Sequence, residues 1–206
     1  MKHDEQILLK GARLLIMAAA IVVAASAQEV SELATRVDEV AHTLTSSPTQ
    51  FKLPAFYVYI TTKPEMNAFA EASTHKIFLN AALVRVLYND RGELAFVIAH
   101  EIGHLQDDGC KERTEKLGYR GVSMSRICES AADQIGMQYL LGAGYSPFDA
   151  AGVMGKLLMA YPAQNSVLAI IFGRMAADHP VDIDRIKHLT EYAQQACQQR
   201  PEICPK

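Results

Sequence analysis

The chain has 206 residues, half of them apolar, with 20 Lys and Arg against 23 Asp and Glu. That length suits one domain and that apolar fraction supplies a core, so disordered and collagen-like chains are excluded. The net charge of −3 carries no electrostatic footprint for nucleic acid, and no run of 18 apolar residues offers a spanning helix.

Residues 1–27 read as a secretory signal peptide. Lys2, Lys10 and Arg13 supply the positive flank, Leu14–Ala25 is an unbroken run of 12 apolar residues, and Ala25-Ser26-Ala27 is a small-residue cleavage site. At about 1.5 Å per residue the run covers ~18 Å, against ~30 Å of hydrocarbon. The alternative is an uncleaved N-terminal helix that holds the chain at the membrane. No Cys follows the run, which disfavours a lipid anchor. The expectation is a single mature domain, residues 28–206, in the periplasm, touching a membrane only peripherally.

In chain order, residues 29–46 carry apolar positions at helical spacing, and Ser46-Ser47-Pro48 ends that helix. Residues 55–62 are aromatic and β-branched and read as a strand. Met66 to Ser73 and Lys76 to Leu79 are two short strands around Ser73-Thr74-His75, and Asn80 caps a helix to about Tyr88. Asn89–Gly92 reads as a turn, and Glu93–Asp107 as a strong helix. Residues 109–121 form a loop or short helix, Ser125–Leu141 a long helix, and further helices fall at 147–160, about 165–177 and 181–196. The order predicts an α+β fold, mostly helical, with a small antiparallel sheet packed on its central helices.

Cys110, Cys128, Cys197 and Cys204 are an even set with no C-x-x-C. In an oxidising compartment the pairing preferred is Cys197–Cys204 with Cys110–Cys128; four free thiols are the alternative.

His100-Glu101-Ile102-Gly103-His104 carries the chemistry. On a helix, residues four apart project from one face, so both imidazoles can reach one ion at about 2.0–2.1 Å. Glu101 follows the first His and can act as general base without occupying the metal. Two His and a Glu inside an apolar helix also need partners, which a metal supplies. A catalytic zinc takes three protein ligands, and Glu129 is the best third. It opens Glu129-Ser130-Ala131-Ala132-Asp133, whose small residues let that helix approach closely. Asp133, one turn on, can accept a hydrogen bond from a ligating His. Asp107 and Asp108 are rivals, but they continue the helix of His104. His42, His75 and His188 lie outside any ligand spacing.

The set His100-Glu101-x-x-His104, Glu129-x-x-x-Asp133 and His179-Pro180 with Arg185 resembles the gluzincin metallopeptidases of the HtpX, Oma and CAAX-prenyl-protease type. Asn67-Ala68-Phe69-Ala70 and Glu93-Leu94-Ala95 match that pattern as well. The resemblance spans about residues 55–190. It implies one zinc per chain held by His100, His104 and Glu129, endopeptidase activity, and a part in protein quality control. The membrane helices of HtpX and the prenyl proteases are missing, and the spacing from His104 to Glu129 is short, which points to the soluble periplasmic members acting on outer-membrane proteins. By the same resemblance His179 sits at the active site, as a donor to the tetrahedral intermediate or as a resting ligand; otherwise it caps a turn. Arg185 clamps Asp133 or binds substrate carbonyls, or pairs along its own helix with Asp182 or Glu191. Asn67, Ala68 and Phe69 would form a sheet edge on which a substrate adds as an antiparallel strand. Such an edge favours unfolded or misassembled proteins, and the sequence shows no pocket for a particular side chain. A chaperone-like binder that rarely cuts is the alternative function.

Overall fold

A computed structural model of the chain describes residues 27–47, 55–160 and 183–204. The expected signal peptide, the helix at about 165–177, and His179 with Pro180 lie outside those residues. Helix α1 covers residues 27–45 and turns Leu33, Val37, Val40 and Leu44 into the core. Three strands follow: β1 (Tyr57–Thr61), β2 (Ala68–Glu71) and β3 (Lys76–Asn80). Helices α2 (Ala81–Leu87), α3 (Arg91–Gln106), α4 (Cys110–Lys116), α5 (Gly121–Gly142), α6 (Phe148–Ala160) and α7 (Ile183–Gln199) complete the described chain. Arg91 and Gly92, expected in a turn, form the first residues of α3.

The α+β class, mostly helical, is as the sequence predicts, but the sheet is mixed and not purely antiparallel. Its order is β1-β3-β2, with β3 antiparallel to β2 and parallel to β1. The cause lies in the connections. β2 and β3 form a hairpin through a short 3-10 turn, closed by His75 in the left-handed region at φ 52°. No hairpin joins β1 to β2; Thr62–Asn67, with Pro64 inside it, carries the chain to the far edge instead. Alternation along a strand reports which residues share a face, not which way the partner runs.

The register sets the two faces. Ile77, Leu79 and Ala68 point inward and are fully buried. Tyr59, Phe78 and Phe69 form a row on the opposite face. β2 and β3 lie against α3, which also contacts α2, α5 and α6. Every residue of α3 from Leu94 to Gly103 is buried, as expected of a helix covered on all sides.

α3 and α5 approach until main chain meets main chain. A Cβ on Gly103 would lie 2.7 Å from the Ala132 carbonyl oxygen and 2.9 Å from its Cα. A Cβ on Gly136 would lie 2.9 Å from the His100 backbone nitrogen. Both obstacles are main chain, so neither can swing aside. Disulfides Cys110–Cys128 and Cys197–Cys204, each with Cα atoms 5.7 Å apart, tie α4 to α5 and α7 to the C-terminal turn. This is the preferred pairing read from the sequence. Among the described residues no helix is long and apolar enough to cross a membrane.

These contacts reverse an ordinary expectation. Gly to Ala inside an exposed helix gains roughly 1 kcal/mol. Gly103→Ala and Gly136→Ala should instead each cost about 1–3 kcal/mol, the usual penalty of overpacking. Equilibrium denaturation of the two variants checks this; a stabilised variant would show that the helices have room to spare.

Candidate metal centre

His100 and His104 stand on consecutive turns of α3, and Glu129 faces them from α5 because the two glycines let the helices touch. His100 Nε2 and His104 Nε2 are 3.1 Å apart. Glu129 places Oε2 3.3 Å from His100 Nε2 and Oε1 3.2 Å from His104 Nε2. All three residues offer ligand atoms within 4.8 Å of one another. A tetrahedral ion with bonds of about 2.0–2.1 Å needs donor atoms roughly 3.3 Å apart. The triangle already has that size, so these residues could hold a metal ion. Asp107, one of the rivals for the third ligand, pairs with Arg113 instead.

Asp133, one turn beyond Glu129, holds the other ring nitrogen: His100 Nδ1 lies 2.9 Å from Asp133 Oδ1. Arg185 on α7 closes the arrangement. Its Nε and Nη2 donate to the two Asp133 oxygens, each at 2.7 Å. Its Nη1 lies 3.0 Å from Glu129 Oε2. Arg185 therefore joins the cluster across helices. Glu101, Glu129, Asp133, His100 and Arg185 are all buried. Glu101 lies close enough for its charge to act on His104 and Arg185.

Charges this deep need balance. Burial works against a charged His100, but Asp133 and Glu129 outweigh it and raise the ring from 6.5 to about 10. The two carboxylates, one beside each ring nitrogen, thus favour the protonated ring. Burial lowers His104 and keeps it neutral, with Glu129 pulling the other way. Burial would raise Asp133, yet the Arg185 guanidinium and His100 hold it below the usual carboxylate range. Counted as carboxylates, the three buried acids exceed Arg185 by two charges. A divalent ion in place of the His100 proton brings the cluster to neutrality.

The other predicted residues fall as follows. Asn67, Ala68 and Phe69 lie at and just before the start of β2, which packs against α3. The Asn67 side chain is buried, and its Oδ1 has no hydrogen-bond partner among the described residues. His42, His75 and His188 are exposed. The sequence reading did not anticipate the second bond of Arg185, to Glu129, nor the part of Gly103 and Gly136 in setting the distance between helices.

The sequence model of peptidase family M48 matches residues 27–122 and 115–193. These two matches span most of the chain and contain the His100–His104 and Glu129–Asp133 segments, so the chain belongs to peptidase family M48. No curated protein matches it.

The raised pKa of His100 has a consequence for metal uptake. A ring at about 10 must give up a proton before its Nε2 can bind an ion. Apparent metal affinity should therefore rise about tenfold per pH unit between pH 7 and 9, with close to one proton released per ion at pH 7.5. Calorimetric titration in buffers of differing ionisation enthalpy counts the proton. Two ordinary histidines near 6.5 would release almost none.

Proposed function

We propose that this member of peptidase family M48 is a zinc endopeptidase of the periplasm that cuts unfolded or misassembled proteins, outer-membrane proteins among them. The carrying observation is the triangle of His100 Nε2, His104 Nε2 and Glu129 carboxylate, with sides of 3.1–3.3 Å. Two imidazoles and one carboxylate are the donor set of a catalytic zinc that keeps a position open. Family membership makes the chain a metallopeptidase. The choice of zinc rests on the donor set, and the compartment on the N-terminal segment and the two disulfides. A bound zinc supplies Lewis-acid polarisation of the scissile carbonyl and lowers the pKa of attacking water.

The chain's own residues do the rest. Glu101, next to His100 and buried, takes the proton from the attacking water and returns it to the departing amine. Asp133 fixes the His100 ring so that Nε2 faces Glu129 and His104. Arg185 holds Asp133 on two oxygens, leaving it no freedom to turn from the ring. The β2 edge would receive the substrate as an extended strand, which suits segments that have lost or not gained their fold.

A binder that never cuts has no use for a carboxylate at position 101, and one variant separates the two functions. Glu101→Gln keeps the size of the side chain and loses the base. It should retain one zinc per chain and lose at least ~10²-fold in kcat. Digestion of casein or reduced, unfolded protein by the zinc-supplemented chain, with and without chelator, reads both. Activity that survives Glu101→Gln or chelation would overturn the mechanism.

A further inference from the structure

Glu129 sits where the burial of α5 begins. Arg126 and Ile127 before it are exposed, whereas Cys128, Glu129, Ala132 and Asp133 are buried. On its C-terminal side the helix is held by main-chain contact, since Ala132 meets Gly103 and Gly136 meets His100. On its N-terminal side stands the Cys110–Cys128 bridge, one peptide unit from the ligand. Cys110 is tied in turn to the end of α3. The Asp107 N–H donates to the Gly103 carbonyl at 3.0 Å, and the Cys110 N–H to the Asp107 carbonyl at 3.1 Å. A short path thus joins His104 to Glu129: six residues of chain to Cys110, the bridge, and one peptide bond. Along the chain itself 24 residues lie between them. That intervening stretch is uncovered at its tip, with Leu117 76% and Tyr119 46% exposed.

Helix ends and exposed turns open at the lowest free energy in a fold. With the bridge open, the first turns of α5 keep only the packing of α4 to hold them. Unwinding that reaches residue 129 removes the third ligand while the glycine contacts beyond it stay closed. His100 and His104 stay in place on α3, which is buried from Leu94 to Gly103. The second bridge is placed differently. Cys197 lies 12 residues beyond Arg185, about 18 Å along α7.

We propose that the Cys110–Cys128 disulfide is a positioning element for Glu129, so that tight metal binding waits on oxidation of the chain. The inference rests on the metal-centre reading above. Closing the bridge takes two electrons and two protons from the thiols and passes them to a disulfide oxidant of the compartment, which leaves as two thiols. The coupling is reciprocal: an ion that binds the oxidised chain more tightly makes the bridge harder to reduce.

Two measurements on the full chain test it. Competition with a chromogenic chelator reads zinc affinity. Cys110→Ala with Cys128→Ala removes the bridge and leaves no thiol there to capture the ion; it should lower affinity roughly 10- to 100-fold. Cys197→Ala with Cys204→Ala should change it by less than about 2-fold. The second readout is the midpoint potential of the bridge in Cys197→Ala/Cys204→Ala, where no other bridge remains. Saturating zinc should make it more negative by at least about 30 mV, the equivalent of a tenfold affinity ratio for two electrons. Adding Glu129→Gln, which keeps both imidazoles, should abolish that shift. This second readout decides the matter even where the Cys110→Ala/Cys128→Ala chain does not fold, because a shift caused by unfolding would survive Glu129→Gln. Equal zinc affinity with and without the bridge, a midpoint indifferent to zinc, or a shift that survives Glu129→Gln overturns the positioning role while the metal centre stands. An oxidised wild type that takes up no zinc overturns both.

Discussion

The approach of α3 to α5 is the contact on which the rest depends. Two helices with ordinary side chains between them pack at 8–10 Å. Here Gly103 meets the Ala132 main chain and Gly136 meets the His100 main chain, with no space for a Cβ at either. That removes a layer of side chain from the interface. It brings a carboxylate of one helix within 3.2–3.3 Å of two imidazoles on the other. The two glycines bracket the ligands, since Gly103 adjoins His104 and Gly136 lies seven residues after Glu129. Burial of α3 on every side then fixes the rotation at which His100 and His104 point toward α5.

Once buried together, the polar groups constrain one another. Removing three carboxylates, an imidazole and a guanidinium from water costs more than their attraction ordinarily returns, so the cluster is a poor source of stability. What it gives is position. His100 has a carboxylate at each nitrogen, and Asp133 has Arg185 on both oxygens. Each acceptor is therefore committed, and few rotamers satisfy all of them. The same commitment explains the basic His100: the proton on Nε2 occupies the place a metal ion would take.

Much of this was legible in the sequence because it is local. The spacing of His100 and His104 dictates a shared helix face, the small residues after Glu129 announce a close neighbour, and four cysteines allow few pairings. Helices α1, α3, α5 and α6 follow from apolar periodicity within a few residues of their observed ends. The parallel pairing of β1 with β3 was not legible, because it is set by where Thr62–Asn67 carries the chain and not by any residue within a strand. Arg185 left two readings open, since a helical Arg with acidic residues on its own face gives the same pattern as one reaching across. The row Tyr59–Phe78–Phe69 was hidden for a related reason: three rings in separate strands become neighbours only when the register is known.

The elements that carry the site are secured independently, and each anchor lies close to the group it positions. Cys128 directly precedes Glu129, so the disulfide to Cys110 fastens α5 within one residue of the ligand. α7 bears Arg185 and is fixed farther along by the Gln138 amide donating to Tyr192 at 2.5 Å, by buried Leu189, and by the Cys197–Cys204 bridge. From Arg185 to Tyr192 is two turns, so α7 touches α5 twice on one face. An isolated guanidinium on a loose helix would lose more entropy in reaching Asp133 than a screened ion pair returns. Docked on a helix already held elsewhere, Arg185 reaches Asp133 at little further loss. The order of causes thus runs from packing to charge to chemistry: apolar contacts and covalent ties place three helices, and the buried ions only sharpen where they meet.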